Sequence, residues 1–298
     1  MKSLVRNHKC VVSALLTLLV ILSLQCLIHE QAVEAQTLNA GEPRTVRMFY
    51  FLPNDRPYRQ EVVDAMKTGI VEVQTFFADQ MEIHGHGRKT FKIETDAQGT
   101  PIVHRVDGDH NDSHYSNKGG TEGEIGRAFD NSKNIILVVM DISGRTAHGR
   151  GAGSKSSGWA VVYGEWNWFA AAHELGHVFG LQHDFRNNAY ILSYGRADRS
   201  SAQLSACAAE FLSVHPYFNA NVPLEHESPP TIELISPTEY PSGSASVPIR
   251  LRVRDDDGLH QVFLFVTPEH PFLPRTAEVK ACHKSEGETD AVVEFNFD

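Results

Sequence analysis

The apolar positions change period along the chain, and the changes mark out its elements. Residues 45–52, TVRMFYFL, form an apolar run rich in β-formers, closed by the turn Pro53-Asn54-Asp55. Over residues 59–81 the period becomes helical, with Val62, Val63, Met66, Ile70, Val73 and Phe77 recurring on one face. Residues 91–95 and 102–106 read as strands around a turn at 96–101, and residues 121–129 read as a short helix. NIILVVMD, residues 134–141, has no polar face, as expected of a central strand covered on both sides. The Gly/Ser-rich residues 143–158 read as a loop, and residues 159–164 read as the edge strand of the sheet, free to pair with an extended peptide. Asn167 is placed to cap a further helix. Strands alternating with helices predict an α/β domain over residues 45–222.

Beyond Pro223, Pro229 and Pro230 the pattern changes again, and residues 223–230 read as a linker. TIELISP, SVPIRLRVRD, QVFLFVTP, TAEVKACH and DAVVEFNFD are short alternating runs separated by turns. They predict a β-sandwich of Ig-like type over residues 231–298. The 68 residues after Pro230 fall short of the roughly 100 of a full sandwich, so this reads as a partial module.

The first residues carry an export pattern. Lys2, Arg6 and Lys9 precede an apolar run over 11–27, and Val33-Glu34-Ala35 offers a cleavage site. A signal peptide over 1–35 and a short segment over 36–44 are expected, and with them a secreted or periplasmic protein that keeps no membrane attachment. The formal net charge is −10, which argues against nucleic acid or an anionic membrane surface as partner. Export permits a disulfide between Cys207 and Cys282. Their positions in two separate expected domains favour two buried free thiols instead.

The chemistry concentrates in HELGHVFGLQHD, residues 173–184. His173 and His177 lie one helical turn apart on one face, so both imidazoles can reach a single metal ion. Gly180 can end the helix in a left-handed conformation, and His183 can then turn back as third ligand. Three protein ligands leave a fourth position open, which is the arrangement of a catalytic Zn2+ site. Glu174 stands where a general base is needed. The chain has 16 histidines, and in such a composition H-E-x-x-H alone arises by chance with odds of about 0.06. Adding Gly180 and His183 lowers this to about 2 in 10,000.

His173-Glu174-x-x-His177-x-x-Gly180-x-x-His183 resembles the signature of the metzincin zinc endopeptidases, and Asp184 after it resembles the adamalysin (reprolysin) subgroup. The resemblance covers about residues 45–221. It implies an α/β (α+β) catalytic domain with a mixed, mostly parallel sheet and an active-site helix, one zinc ion, and a protein or peptide substrate. It also implies that Asp184 is a buried structural carboxylate, and that a methionine-bearing turn forms an apolar floor under the histidines. ILSYG, residues 191–195, is similar to that turn but carries Leu192 at the methionine position. Leu and Met have similar volumes, so a slightly altered floor is expected. Tyr194 resembles the tyrosine that in astacins and serralysins lies near the metal, either as ligand or as oxyanion donor; packing beneath the site is the alternative.

Residues 107–112, DGDHND, start like a calcium loop, but Asp112 stands where glycine is needed and Lys118 where the glutamate should be. An ordinary polar loop is favoured there and Ca2+ is the weaker reading. Trp166 and Trp168 read as core. No cysteine lies between the expected cleavage site and the first strand, so activity directly on export is expected. The competing function is a secreted, non-catalytic zinc-containing binding or adhesion protein on the same fold. The sandwich would suit a surface or matrix partner in either case.

Overall fold

The computed structural model describes residues 44–118, 122–128, 134–144, 149–153, 157–195, 197–219, 229–267 and 277–297. The expected signal peptide and the 223–230 linker, apart from Pro229 and Pro230, lie outside them. Arg44–Asp298 forms one compact unit. In chain order it contains β1 (Thr45–Leu52), α1 (Gln60–Ile83), β2 (Lys92–Ile93), β3 (Val103–Asp107), α2 (Asp112–Lys118), α3 (Glu122–Ala128), β4 (Ile135–Met140), β5 (Gly149–Gly153), β6 (Gly158–Tyr163), α4 (Trp168–Val178) and α5 (Ala206–Ser213). β7 (Thr231–Leu234), β8 (Val247–Arg254), β9 (Gln261–Val266), β10 (Glu278–Lys284) and β11 (Asp290–Phe297) follow.

The first sheet runs β2-β1-β4-β6-β5, with β3 also paired to β1. All its pairings are parallel except that of β5 with β6. Strand side chains alternate between faces, and both faces are apolar. Val46, Met48, Tyr50 and Leu52 of β1 join Ile135, Leu137 and Val139 of β4 in a core shared with α1, α4 and α5. Phe49 and Phe51 join Ile136, Val138 and Met140 on the other face, with Tyr115 and Ile125 of α2 and α3. This two-sided burial is why NIILVVMD lacks a polar face.

β5 corrects the sequence reading of residues 143–158 as a loop and of residues 159–164 as the sheet edge. GRGAG has no side-chain alternation to reveal it, yet its backbone pairs antiparallel with β6 from Gly149↔Val162 to Gly153↔Gly158. β6 is therefore an interior strand, and β5 is the edge. α2 starts at Asp112, the last residue of the 107–112 stretch that read as a polar loop.

At the end of β4 the Asp141 side chain is fully buried. It accepts from Tyr50, from Arg56 at 2.7 Å and from Arg59 at 2.7 and 2.8 Å. Burial alone would raise its pKa, but the bonds from Arg59 and Tyr50 and both arginine charges hold it below the usual carboxylate range. The same burial, reinforced by Asp141, pushes Tyr50 up to about 12. The network fixes the β1–α1 connection to the central strand.

Residues 231–267 and 277–297 form two antiparallel sheets, β11-β8-β7 and β10-β9, around Val253, Leu259, Val262, Ala291, Val293 and Phe295. Cys207 of α5 and Cys282 of β10 form a disulfide, with Cα atoms 5.9 Å apart. This overturns the expectation of two free thiols. The folded chain brings α5 and β10 side by side, a proximity that a sequence separation of 75 hides.

Candidate metal centre

The helix that carries the motif is fixed at both ends. Asn167 Oδ1 accepts from the Ala170 N–H at 2.8 Å, the capping expected from the sequence. At the other end Leu181 N–H donates to Gly176 O at 3.0 Å and Gly180 N–H to His177 O at 2.9 Å, a Schellman arrangement. It requires a left-handed residue, and Gly180 has φ of +93°. A Cβ there would also meet the Phe211 ring at 3.3 Å. The turn so made returns His183 to the helix. T-shaped contacts of Phe179 with Phe77 and Phe218 anchor this corner to the core.

His173, His177 and His183 converge. His177 Nε2 lies 3.1 Å from His173 Nε2 and 3.2 Å from His183 Nε2. Four ligands about 2.0–2.1 Å from a tetrahedral metal stand roughly 3.3 Å from one another. His173 Nδ1 donates to Ile191 O at 2.7 Å, and His177 Nδ1 donates to Leu181 O at 2.8 Å. Both bonds place the proton on Nδ1 and leave the Nε2 lone pair directed at the common point. Burial, with His177 nearby, lowers His173 to about 3 and His183 to about 4, and burial lowers His177 as well. All three are thus neutral imidazoles at neutral pH, the form that ligates. Among the described residues this is the His/Cys/Asp/Glu group arranged to hold a metal ion. The donor set fits a first-row divalent cation.

Glu174 is buried on the same helix beside His173. Tyr194 is 62% exposed, with ring centroids 4.9 Å from His183 and 6.1 Å from His173. Burial, then the charges of Glu174 and Glu278, raise its pKa. Leu192 is 2% exposed and lies directly beneath the helix: a Cβ on Gly176 would stand 3.0 Å from Leu192 Cδ2. It forms the apolar floor.

Asp184 is 3% exposed and takes a two-pronged ion pair from Arg186, at 2.8 and 2.6 Å. This is the buried structural carboxylate expected of it. Arg186 Nη2 also lies 3.3 Å from Cys207 Sγ. On the far side, Val279 N–H of β10 donates to His183 O at 2.8 Å. The third-ligand segment is therefore held by the C-terminal strands as well as by the helix, a feature with no sequence signal. Trp166 and Trp168 pack against the core as expected. Asp112 is committed to Ser143 and Arg56, and Asp109 to Arg127, so the supposed calcium-loop carboxylates serve as loop and ion-pair partners.

A mixed, mostly parallel sheet, a helix with two histidines and a third histidine beyond its turn together make a candidate metal centre. Residues 107–214 match the Reprolysin_5 model, described as metallo-peptidase family M12, so the resemblance read from HELGHVFGLQHD and Asp184 holds over that segment. No curated protein sequence matches the chain. Among solved structures, wild-type OgpA from Akkermansia muciniphila is similar at a TM-score of 0.60 and 14% identity, over 86% of this chain and 84% of that one. A second crystal form gives 0.58 and 15%, over 86% and 83%. Catalytically inactive OgpA in complex with an O-glycopeptide (glycodrosocin) substrate gives 0.58 and 14%, over 86% and 84%. At these identities the likeness is one of fold.

Proposed function

We propose that the protein is an exported zinc-dependent endopeptidase that cleaves internal bonds of protein or peptide substrates. The observation that carries the reading is the convergence of three neutral imidazole Nε2 atoms, two locked by Nδ1–H bonds to backbone, beside the buried Glu174. The family match over residues 107–214 supports it.

His173, His177 and His183 would hold the zinc ion. Held there, the ion would supply a water of lowered pKa, about 7, and a Lewis acid for the carbonyl of the bond to be cut. Glu174 takes the proton of the attacking water and delivers it to the leaving amine. The raised pKa of Tyr194 keeps its phenol protonated, able to donate to the oxygen on which charge develops. β5, as the antiparallel edge, offers backbone groups to an extended substrate. β7–β11 read as a partial Ig-like module, suited to a surface or matrix partner, and the N-terminal pattern supports export.

Glu174→Gln should bind zinc as the parent does and lose peptidase activity on denatured protein, by at least about 10²-fold. Zinc content and a chelator-controlled cleavage assay check this. Because the OgpA complex holds an O-glycopeptide, the substrate panel should include peptides with and without O-linked sugar. Stoichiometric zinc without turnover of any substrate would instead support the binding-protein reading.

A further inference from the structure

β10 brings a charged side chain to the centre from outside the matched segment. Glu278 forms a parallel bridge with His183, and the next residue bonds the His183 carbonyl. Neighbouring strand side chains point to opposite faces. Val279 points beneath the site, where it lines an apolar cavity of about 230 Å³ with Leu192, Phe211 and Phe263. Glu278 therefore takes the opposite face, the side on which Tyr194 lies, and its charge reaches the Tyr194 phenol.

Glu278 is half-buried and, among the described residues, forms no ion pair. Around His183, Phe185 stacks on the imidazole at 5.2 Å, and the Phe185 and Tyr194 rings lie 4.9 Å apart at a tilt of 49°. A carboxylate that has lost part of its water next to aromatic rings gains when a cation arrives. Its position is held twice, by the pairing of β10 with β9 and by the Cys207–Cys282 bond four residues on. The chain's net charge of −10 favours encounter with basic peptides.

We propose that Glu278 is a specificity residue that takes a Lys or Arg side chain of a peptide substrate, in a subsite bounded by His183, Tyr194 and Phe185. This rests on the peptidase reading, and the test separates the two. Peptides carrying Lys, Gln or Glu at each position in turn are compared with the full-length, zinc-loaded protein, by kcat/KM and by binding to the Glu174→Gln variant. One position should favour Lys over Gln by about five- to tenfold, in cleavage and in binding, and the preference should shrink at high salt. Glu278→Gln should bring that ratio to about one, Glu278→Asp should retain it, and Glu278→Lys should reverse it in favour of Glu. If Glu278 acted only through Tyr194, its loss would scale all peptides alike and leave the ratio intact; that result overturns the proposal. So does the absence of a Lys preference at every position. If no peptide is cut while the binding preference and its loss are observed, the peptidase reading fails and the subsite stands.

Discussion

Leu192 and Gly176 form a pair. Without a side chain on Gly176, the two methyl carbons of Leu192 come within 3.0 and 3.3 Å of where a Cβ would be. The helix thus rests directly on its floor, and the floor's height sets where His173 and His177 lie. Leu192→Met should change unfolding free energy by less than about 1.5 kcal/mol, and Leu192→Ala should cost about 2–5 kcal/mol and weaken zinc binding. Urea unfolding with and without zinc measures both. The histidines add a pH dependence. His173 and His183 have folded pKa values of about 3 and 4, below the ordinary 6.5, so acid protonates the unfolded chain first. The zinc-free protein should lose stability as pH falls below about 6.5, the loss levelling off only near pH 3–4. His173→Gln combined with His183→Gln should flatten this slope; an unchanged slope would show that other groups cause it.

α1 and α4 meet at Gly69. A Cβ there would fall 1.9 Å from Trp166 Nε1 and 2.3 Å from Cε2, and Trp166 immediately precedes the α4 cap. Gly69→Ala must displace the indole and should cost about 1–3 kcal/mol, read as a lower urea midpoint, while Glu61→Ala on the exposed side of α1 should be near neutral. The elements visible in the sequence are those whose side chains carry a period. α1 shows its stripe, β4 its two apolar faces, and the metal helix its ligands, cap and closing glycine. β5 was hidden because GRGAG forms its strand through backbone alone, and α2 because the 107–112 stretch that leads into it read as a polar loop. The ligand set was legible because two ligands share one helix and the third follows at a fixed distance. The approach of Glu278 to His183 was not, because the fold crosses 95 positions that no local pattern spans.

Across the whole molecule, the β10-β9 sheet supports the metal centre through β10. His183 is bonded to Val279, Asp184 to Arg186, Arg186 touches Cys207, and Cys207 is joined to Cys282, three residues beyond Val279. Replacing both cysteines with serine should cost about 2–5 kcal/mol and, by freeing β10, raise the zinc dissociation constant. Thermal unfolding and competition with a chromophoric chelator measure these separately. Unchanged zinc affinity at reduced stability would limit the bond to a structural role.

The same covalent link has a consequence for survival. On the proposed endopeptidase function, other copies of the protein are a concentrated substrate, and a loop between Cys207 and Cys282 is a place where one could cut. A single cut in a loop of that interval leaves two chains still joined by sulfur, with β10 still tied to α5. Such a nicked protein would run as two bands only after reduction. The bond therefore lets the metal centre outlast the continuity of the chain around it.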